Sequence, residues 1–240
     1  MVSGCHPETD AVVEWTWMGR IPYRWAFELQ EQIRSEILAG RRRETLLLLE
    51  HPAVVTLGRH ADPAHVLLPV PVLRARGIEV CRTSRGGDVT FHGPGQLVGY
   101  PIFRLRRGVR AHIQAMATSI VEWLTGLGLE AEWRASTPGV WLGSDKICAF
   151  GVHVRHRIAT HGFALNLATD LDGFSTIIPC GLQTAGVTSL ARQLGSAPSS
   201  EVVARSLTGL FEKNFGVQLM EVRVPGCNCT APLTRIMEAS

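Results

Sequence analysis

Residues 139–167 read GVWLGSDKICAFGVHVRHRIATHGFALNL. Gly139 to Leu142 and Lys146 to Val154 are short apolar runs that flank Gly143-Ser144-Asp145, a hairpin signal. Arg155-His156-Arg157 then turns the chain into a third run, Ile158 to Leu167. Three such runs in succession make a meander of antiparallel strands, not a regular strand–helix alternation. The fold class is therefore α+β: a mixed, mostly antiparallel sheet with helices packed on it.

Three helices lie outside this meander. Pro22 suits a first helical position, Trp25, Leu29, Ile33 and Ile37 recur every four residues, and Gly40 ends the segment. Residues 112–124 place Ile113, Ala117, Ile120 and Leu124 on one face. A third helix follows Ser199-Ser200, turns Val203, Leu207, Leu210 and Phe211 inward and ends near Gly216. Two more strands are expected, Thr45 to Glu50 and Val54 to Leu57, with a turn at His51-Pro52. No internal repeat or low-complexity linker interrupts the chain, so residues 1–240 read as a single domain.

Composition excludes several classes. A chain with 45% hydrophobic and 19% charged residues is ordinary for a soluble globular protein, which argues against disorder, collagen and coiled coil. The longest aliphatic run, Leu46 to Leu49, is far short of the ~20 residues that span a bilayer, so no membrane association is expected. The first fifteen residues carry Glu8, Asp10 and Glu14 and no apolar segment, unlike a signal or transit peptide. A net charge of +3 is too mild to imply nucleic acid. The cysteines, at 5, 81, 148, 180, 227 and 229, show no paired spacing. They fit reduced thiols, and a cytoplasmic location is favoured over a mitochondrial one. Of 24 basic residues only Lys146 and Lys213 are lysines, so each is worth locating.

Three stretches can carry chemistry. The densest glycine cluster is Arg85-Gly86-Gly87-Asp88-Val89-Thr90-Phe91-His92-Gly93-Pro94-Gly95-Gln96. Its glycines let backbone approach a ligand, Arg85 offers an anion contact and His92 a titratable donor. No Gly-Lys-Ser/Thr follows and no helix pattern opens after it, so it is neither a Walker loop nor a dinucleotide fingerprint. It is a ligand loop or a structural double turn.

Lys146 heads a strand whose alternating face continues with Cys148, Phe150, Val152 and Val154. Burial there drives a lysine toward its neutral, proton-accepting form, and as a cation beside a thiol it stabilises the thiolate. In solvent it merely closes the hairpin. Cys180 follows the apolar Ile177-Ile178-Pro179 at a bend where Gly181 permits a tight turn and offers an N–H to a developing oxyanion. The alternative is a buried, inert thiol.

The other candidates are weaker. Cys81 and Cys148 read as core. Cys5, His6, Cys227 and Cys229 have non-standard spacing for a metal site, and no metal is expected. The arginines at 41–43 and Arg104, Arg106, Arg107 and Arg110 form a solvated face or a docking surface for an acidic partner. Lys213 falls on the solvent side of the last helix.

Together these segments resemble the lipoyl(octanoyl) transferases, the lipoate-biosynthesis protein B family. The likeness runs from Glu44-Thr45-Leu46-Leu47-Leu48-Leu49-Glu50-His51-Pro52 and Thr56-Leu57-Gly58 through the Arg85 to Tyr100 block. It continues with Gly139-Val140-Trp141-Leu142, Lys146 to Val152, His161 to Asn166, Pro179-Cys180-Gly181-Leu182 and Val187-Thr188-Ser189-Leu190, covering about residues 15 to 220. An Arg-Gly-Gly-x-x-Thr-x-His-Gly-Pro-Gly-Gln block in order with a downstream lysine and Pro-Cys-Gly is highly specific. The acidic Asp88 is a mild departure at a variable position, and the first fourteen and last twenty residues match nothing.

The resemblance implies a fold similar to the biotin/lipoate protein ligases. It implies transfer of an octanoyl group from octanoyl-acyl carrier protein to a lysine amine of a lipoyl domain. The acceptors would be lipoyl domains of 2-oxoacid dehydrogenase E2 subunits or the glycine-cleavage H protein. It implies an acyl-thioester on Cys180 with Lys146 as its partner. The substrate-binding segments that correspond are Arg85, Gly86, Gly87, Asp88, Val89, Thr90, Phe91 and His92, then Ala149, Phe150 and Gly151, then Gly162, Phe163 and Ala164. Phe150, Val152 and Phe163 would border the eight-carbon tail. A thioester is already activated, so no ATP or other cofactor is expected. Two rivals stand beside this. One is an ATP-dependent lipoate or biotin ligase, which needs no nucleophilic cysteine. The other is a non-catalytic carrier-binding module, which would form no acyl adduct.

Overall fold

The computed structural model describes residues 11–178 and 186–222. In chain order the elements are β1 (Ala11–Arg20), α1 (Tyr23–Leu38), β2 (Thr45–Glu50), β3 (Val54–Leu57), α2 (Val70–Ala75), β4 (Glu79–Arg82), β5 (Val89–His92) and β6 (Gln96–Ile102). They continue with α3 (Gly108–Gly126), β7 (Ala131–Arg134), β8 (Gly139–Leu142), β9 (Asp145–Arg155), β10 (Ile158–Asn166), β11 (Gly186–Val187), α4 (Leu190–Leu194), α5 (Ser200–Phe215) and β12 (Val217–Glu221).

The large sheet has the order β12-β1-β2-β6-β10-β9-β8-β7, with β11 beside β9. β1 runs parallel to β12 and β2, and β11 parallel to β9; the other pairs are antiparallel. A small second sheet has the order β4-β3-β5. The mixed, mostly antiparallel sheet with packed helices is the α+β class that the meander indicates.

β2 shows why the core forms as it does. Its four leucines do not alternate with polar residues because both faces are covered. Leu46 and Leu48 join Leu97, Phe163 and Leu165 under Ile120 and Leu124 of α3 and Leu207 and Phe211 of α5. Leu47 and Leu49 join Val98, Tyr100 and Ile102 under Ile33 and Ile37 of α1. α5 is bounded by local chemistry: the Ser199 side chain accepts from the Val202 N–H, and Gly216 closes the other end at φ 64°.

The central hairpin differs from the sequence expectation in two ways. Its turn is two residues, Gly143-Ser144, because Leu142 pairs with Asp145. Gly143 takes φ 56°, as tight hairpin turns require. A bulge then follows: Trp141 pairs with Lys146 but Val140 pairs with Cys148, leaving Ile147 as the extra residue. The strict alternation expected from Lys146 to Cys148 therefore fails. Ile147 and Cys148 are both fully buried in one core cluster.

Among the described residues no helix is long and apolar enough to cross a membrane. No group of three or more His, Cys, Asp or Glu residues among them is placed to hold a metal. Cys5, His6, Cys227 and Cys229 lie outside the described residues.

Several histidines are buried in neutral form. His112 of α3 packs edge-on to Phe103 and Phe215, and its Nε2 has no hydrogen-bond partner among the described residues. Burial lowers the pKa of His51 and of His112 to about 4. An unfolded chain binds these protons from about pH 6.5. Stability from neutral burial is therefore present above pH 6.5 and lost as pH falls toward 4. Urea midpoints should drop across that interval. His112→Phe should flatten the drop by about 3 kcal/mol. An unchanged slope in that variant would show that His112 is not one of the linked groups.

Candidate active site

The glycine-rich segment joins the two sheets. Arg85-Gly86-Gly87 enters β5 of the small sheet, and Gly93-Pro94-Gly95 leads out of it into β6 of the large one. Gly87 and Gly95 take φ 86° and 76°, conformations that L side chains rarely adopt. The Gly86 N–H donates to the Val152 carbonyl of β9 at 3.0 Å. A Cβ on Gly151 would stand 3.1 Å from the Gly86 oxygen, so the approach depends on missing side chains. Arg85 braces the loop from beneath. Its Nε and Nη2 donate to Thr56 Oγ1 at 3.0 and 2.9 Å, Nη2 also to the Thr56 carbonyl at 2.6 Å, and Nη1 to the Gly86 carbonyl at 3.1 Å. These internal bonds stand where the sequence suggests an anion contact.

Against this loop lies a small, partly open cavity with largely apolar walls. Arg85, Gly86, Gly87, Thr90 and His92 line it, together with Ala149, Phe150, Gly151, Gly162, Phe163 and Ala164. Three residues of the first expected segment lie elsewhere. Strand alternation on β5 turns Val89 and Phe91 into the small-sheet core, where Phe91 packs edge-on to Phe174. The Asp88 carboxylate pairs with His65 Nδ1 and accepts from the Asp62 N–H. Tyr23, Val98, Tyr100 and His161 also line the cavity and were not among the expected residues.

The polar groups of the wall are tied inward. Gln96 Nε2 donates to Asn166 Oδ1 at 2.9 Å and to the Phe91 carbonyl, so its oxygen accepts from His92 Nδ1–H at 2.7 Å. His51 Nδ1–H donates to the Ile21 carbonyl at 2.6 Å, leaving Nε2 to accept from the Tyr100 hydroxyl at 2.7 Å. The pairing of β10 with β6 stops at Phe163, opposite Gly99, two residues short of His161. There the backbone turns to φ 58° and gives the His161 N–H to Gln30 Oε1 on α1 at 2.7 Å.

Burial then sets the charge. It holds His92 well below its ordinary value and Tyr100 well above. Burial, reinforced by the Arg85 charge, lowers His161 to about 3. At neutral pH these rings are uncharged, which suits an apolar ligand.

Lys146 lies beside this cavity. Thr90, Ala149 and Ala164 line both it and a second space whose walls include Lys146, Gln96, Asn166 and Val187. Val187 of β11 pairs with Lys146, and the Thr188 N–H donates to the Lys146 carbonyl at 3.0 Å. Cys180 and Gly181, expected as nucleophile and oxyanion donor, lie outside the described residues, as do Pro179 and Leu182.

Two other cysteines are buried free thiols. Burial pushes Cys81 up to about 11 and Cys148 higher still, so neither offers a thiolate. Several arginines of the clusters have partners within the chain. Arg42 pairs with Glu36, Arg106 with Glu44, and Arg104 donates to the Ile37 carbonyl. Lys213 is exposed and pairs with Glu122 at 3.0 Å.

The site is thus a largely apolar cavity at a glycine-lined seam between two sheets, with Arg85 as the charged residue of its lining. Residues 22–212 match the model of the lipoyl protein ligase A/B catalytic domain, and the chain belongs to that family. It is similar to the octanoyltransferase of Chloroflexus aurantiacus, 43% identical over 208 residues that cover 84% of this chain and 93% of the relative. The octanoyltransferase of Solibacter usitatus is 44% identical over 217 residues, 89% of this chain and 96% of the relative. The bipartite lipoate protein ligase from Thermoplasma acidophilum shares the fold at a TM-score of 0.69 and 17% identity, covering 92% of this chain and 89% of that one. Within the family the chain is an acyltransferase of lipoate biosynthesis.

The Arg85 brace gives a prediction. Thr56→Val keeps the shape but removes the hydroxyl acceptor, at a cost of about 1–3 kcal/mol. Its melting temperature should fall, and KM for the acyl donor should rise as the Gly86-Gly87 edge loosens. Wild-type values for both would show that the brace does not shape the cavity.

Proposed function

We propose that the chain moves an octanoyl group from octanoyl-acyl carrier protein onto a lysine amine of a lipoyl domain. The route is an acyl-thioester on Cys180, with Lys146 as proton acceptor or thiolate stabiliser. The same reading takes residues 1–240 as one catalytic domain acting in the cytoplasm, without ATP or metal. The observation that carries it is the largely apolar cavity walled by Val98, Phe150 and Phe163, which shares Thr90, Ala149 and Ala164 with the space around Lys146. Support for a lipoyl-domain acceptor comes from the Thermoplasma acidophilum ligase, described with its E2 lipoyl domain.

In this reaction the Cys180 thiolate attacks the octanoyl carbonyl, and a new C–S bond forms. The bond to the carrier's pantetheine sulfur breaks, and that thiolate takes a proton from the Lys146 ammonium. The target lysine amine then attacks octanoyl-Cys180. A C–N bond forms, the C–S bond breaks, and Lys146 takes the proton that the amine gives up. The Gly181 N–H holds the oxyanion of each tetrahedral intermediate. The donor thioester supplies the activation that a ligase draws from ATP.

Three results test the proposal. Turnover with octanoyl-carrier should proceed without ATP, and Cys180→Ser should lose it. Normal turnover by that variant, or a strict need for ATP with free octanoate, would favour the ligase reading instead. Lys146→Arg keeps the charge but is a poor base, so it should slow transfer across pH 6 to 9. Chain length offers a separate check. Each buried CH₂ contributes about 0.8 kcal/mol, close to fourfold, so a hexanoyl donor should lose roughly 15-fold in kcat/KM. Equal kcat/KM for the two donors would place the tail outside the cavity.

A further inference from the structure

Gly139 and Trp141, two residues of β8 with no part in the chemistry above, surround the side chain of Lys146. The two-residue turn sets Trp141 directly opposite Lys146. A Cβ built on Gly139 would stand 2.8 Å from Lys146 Cε and 3.0 Å from Cδ, so the lysine stem crosses the neighbouring strand where a side chain is missing. The stem then delivers Nζ to 4.9 Å from the centroid of the Trp141 ring. A cation within about 6 Å of an indole face is attracted by the ring's negative π surface.

The ring is itself fixed. Trp141 is 3% exposed, and its Nε1–H donates to the Thr137 carbonyl at 3.2 Å. The Arg134 guanidinium lies 5.0 Å from the same ring, tied to the Glu132 carboxylate and to the Gly143 carbonyl at 2.7 Å. The Thr188 N–H holds the Lys146 main chain from the β11 side. A free lysine stem samples many rotamers, and restricting it costs entropy. Here a gap in one strand and a pinned aromatic face select one path for it.

We infer that Gly139 and Trp141 are positioning residues that fix the Lys146 amine for acyl transfer. This rests on the role proposed above for Lys146. Its consequence is that Gly139→Ala folds but fails. The atom nearest the new methyl is Lys146 Cε at 2.8 Å, with the Cys148 carbonyl oxygen and Lys146 Cδ each at 3.0 Å, so the flexible lysine end gives way first.

Two lysines in the whole chain make the test clean. Lysine labelled with ¹³C at Cε should give two Cε signals, one per lysine, each correlated with its Hε protons. Lys213, exposed and paired with Glu122, is the internal reference. The Lys146 signal, assigned by its loss in Lys146→Met, should be shifted upfield by the Trp141 ring. It should return toward the reference in Gly139→Ala and in Trp141→Leu. Both variants should lose about 10- to 100-fold in kcat with little change in KM, since a small misplacement of a reacting group is costly. Trp141→Phe, which keeps an aromatic face, should recover much of both.

An unshifted Lys146 signal in the wild-type protein would overturn the inference without any variant. So would Gly139→Ala turning over normally while Lys146→Met is inactive, and that outcome would leave the role of Lys146 intact. Full activity in Lys146→Met would remove that role as well.

Discussion

The backbone hydrogen bond from the Gly86 N–H to the Val152 carbonyl, at 3.0 Å, ties the small sheet to the large one. It forms because the two segments meet at Gly86 and Gly151, where a Cβ would stand 3.0 Å from the Val152 oxygen or 3.1 Å from the Gly86 oxygen. The same contact makes one wall of the cavity. Arg85, locked onto Thr56, carries the loop to that position, and the Gly93-Pro94-Gly95 turn returns the chain to β6 opposite β10. Any side chain added at this seam changes the sheet packing and the cavity together.

The cavity illustrates how burial sets the protonation of the rings that line it. Three histidines and two tyrosines lie in or against it, yet desolvation keeps the imidazoles neutral and the phenols protonated. Each is satisfied inside the protein: His92 by Gln96, His51 by Ile21 and Tyr100, His161 by Ser84, and Tyr23 by Thr83. Their hydrogen-bonding capacity is spent on shape. Apolar surface and a nearby amine remain, and an acyl chain attached at a thioester needs both.

Much of this was legible from local pattern. The meander, the long helices and β2 follow from apolar periodicity and turn residues, because each buries a face against a neighbour close in sequence or in a continuous layer. β1, α2, β7 and β12 were not read. α2, β7 and β12 are only four to six residues long, and β1, though ten residues long, takes its place from a partner far along the chain, as with Ala11 and Val217. The glycine block identified the seam, but the block alone could not reveal that alternation on β5 sends Thr90 and His92 to the cavity and Val89 and Phe91 away from it. Tyr23, Val98, Tyr100 and His161 escaped notice for the same reason: long-range register puts them there. The bulge at Ile147 left no sequence signal, since both Ile147 and Cys148 are apolar enough for either face. Trp141 could have been found, because a two-residue turn places it opposite Lys146.

The central claim is that the octanoyl group rests on Cys180 between donor and acceptor. Stoichiometric octanoyl-carrier should be mixed with the protein without acceptor, quenched in acid, digested and mapped by mass. The account predicts one octanoyl group per chain, on the peptide that contains Cys180 and released by neutral hydroxylamine. An adduct on Lys146 or on another cysteine, or no adduct under conditions where added lipoyl domain is rapidly octanoylated, would contradict it.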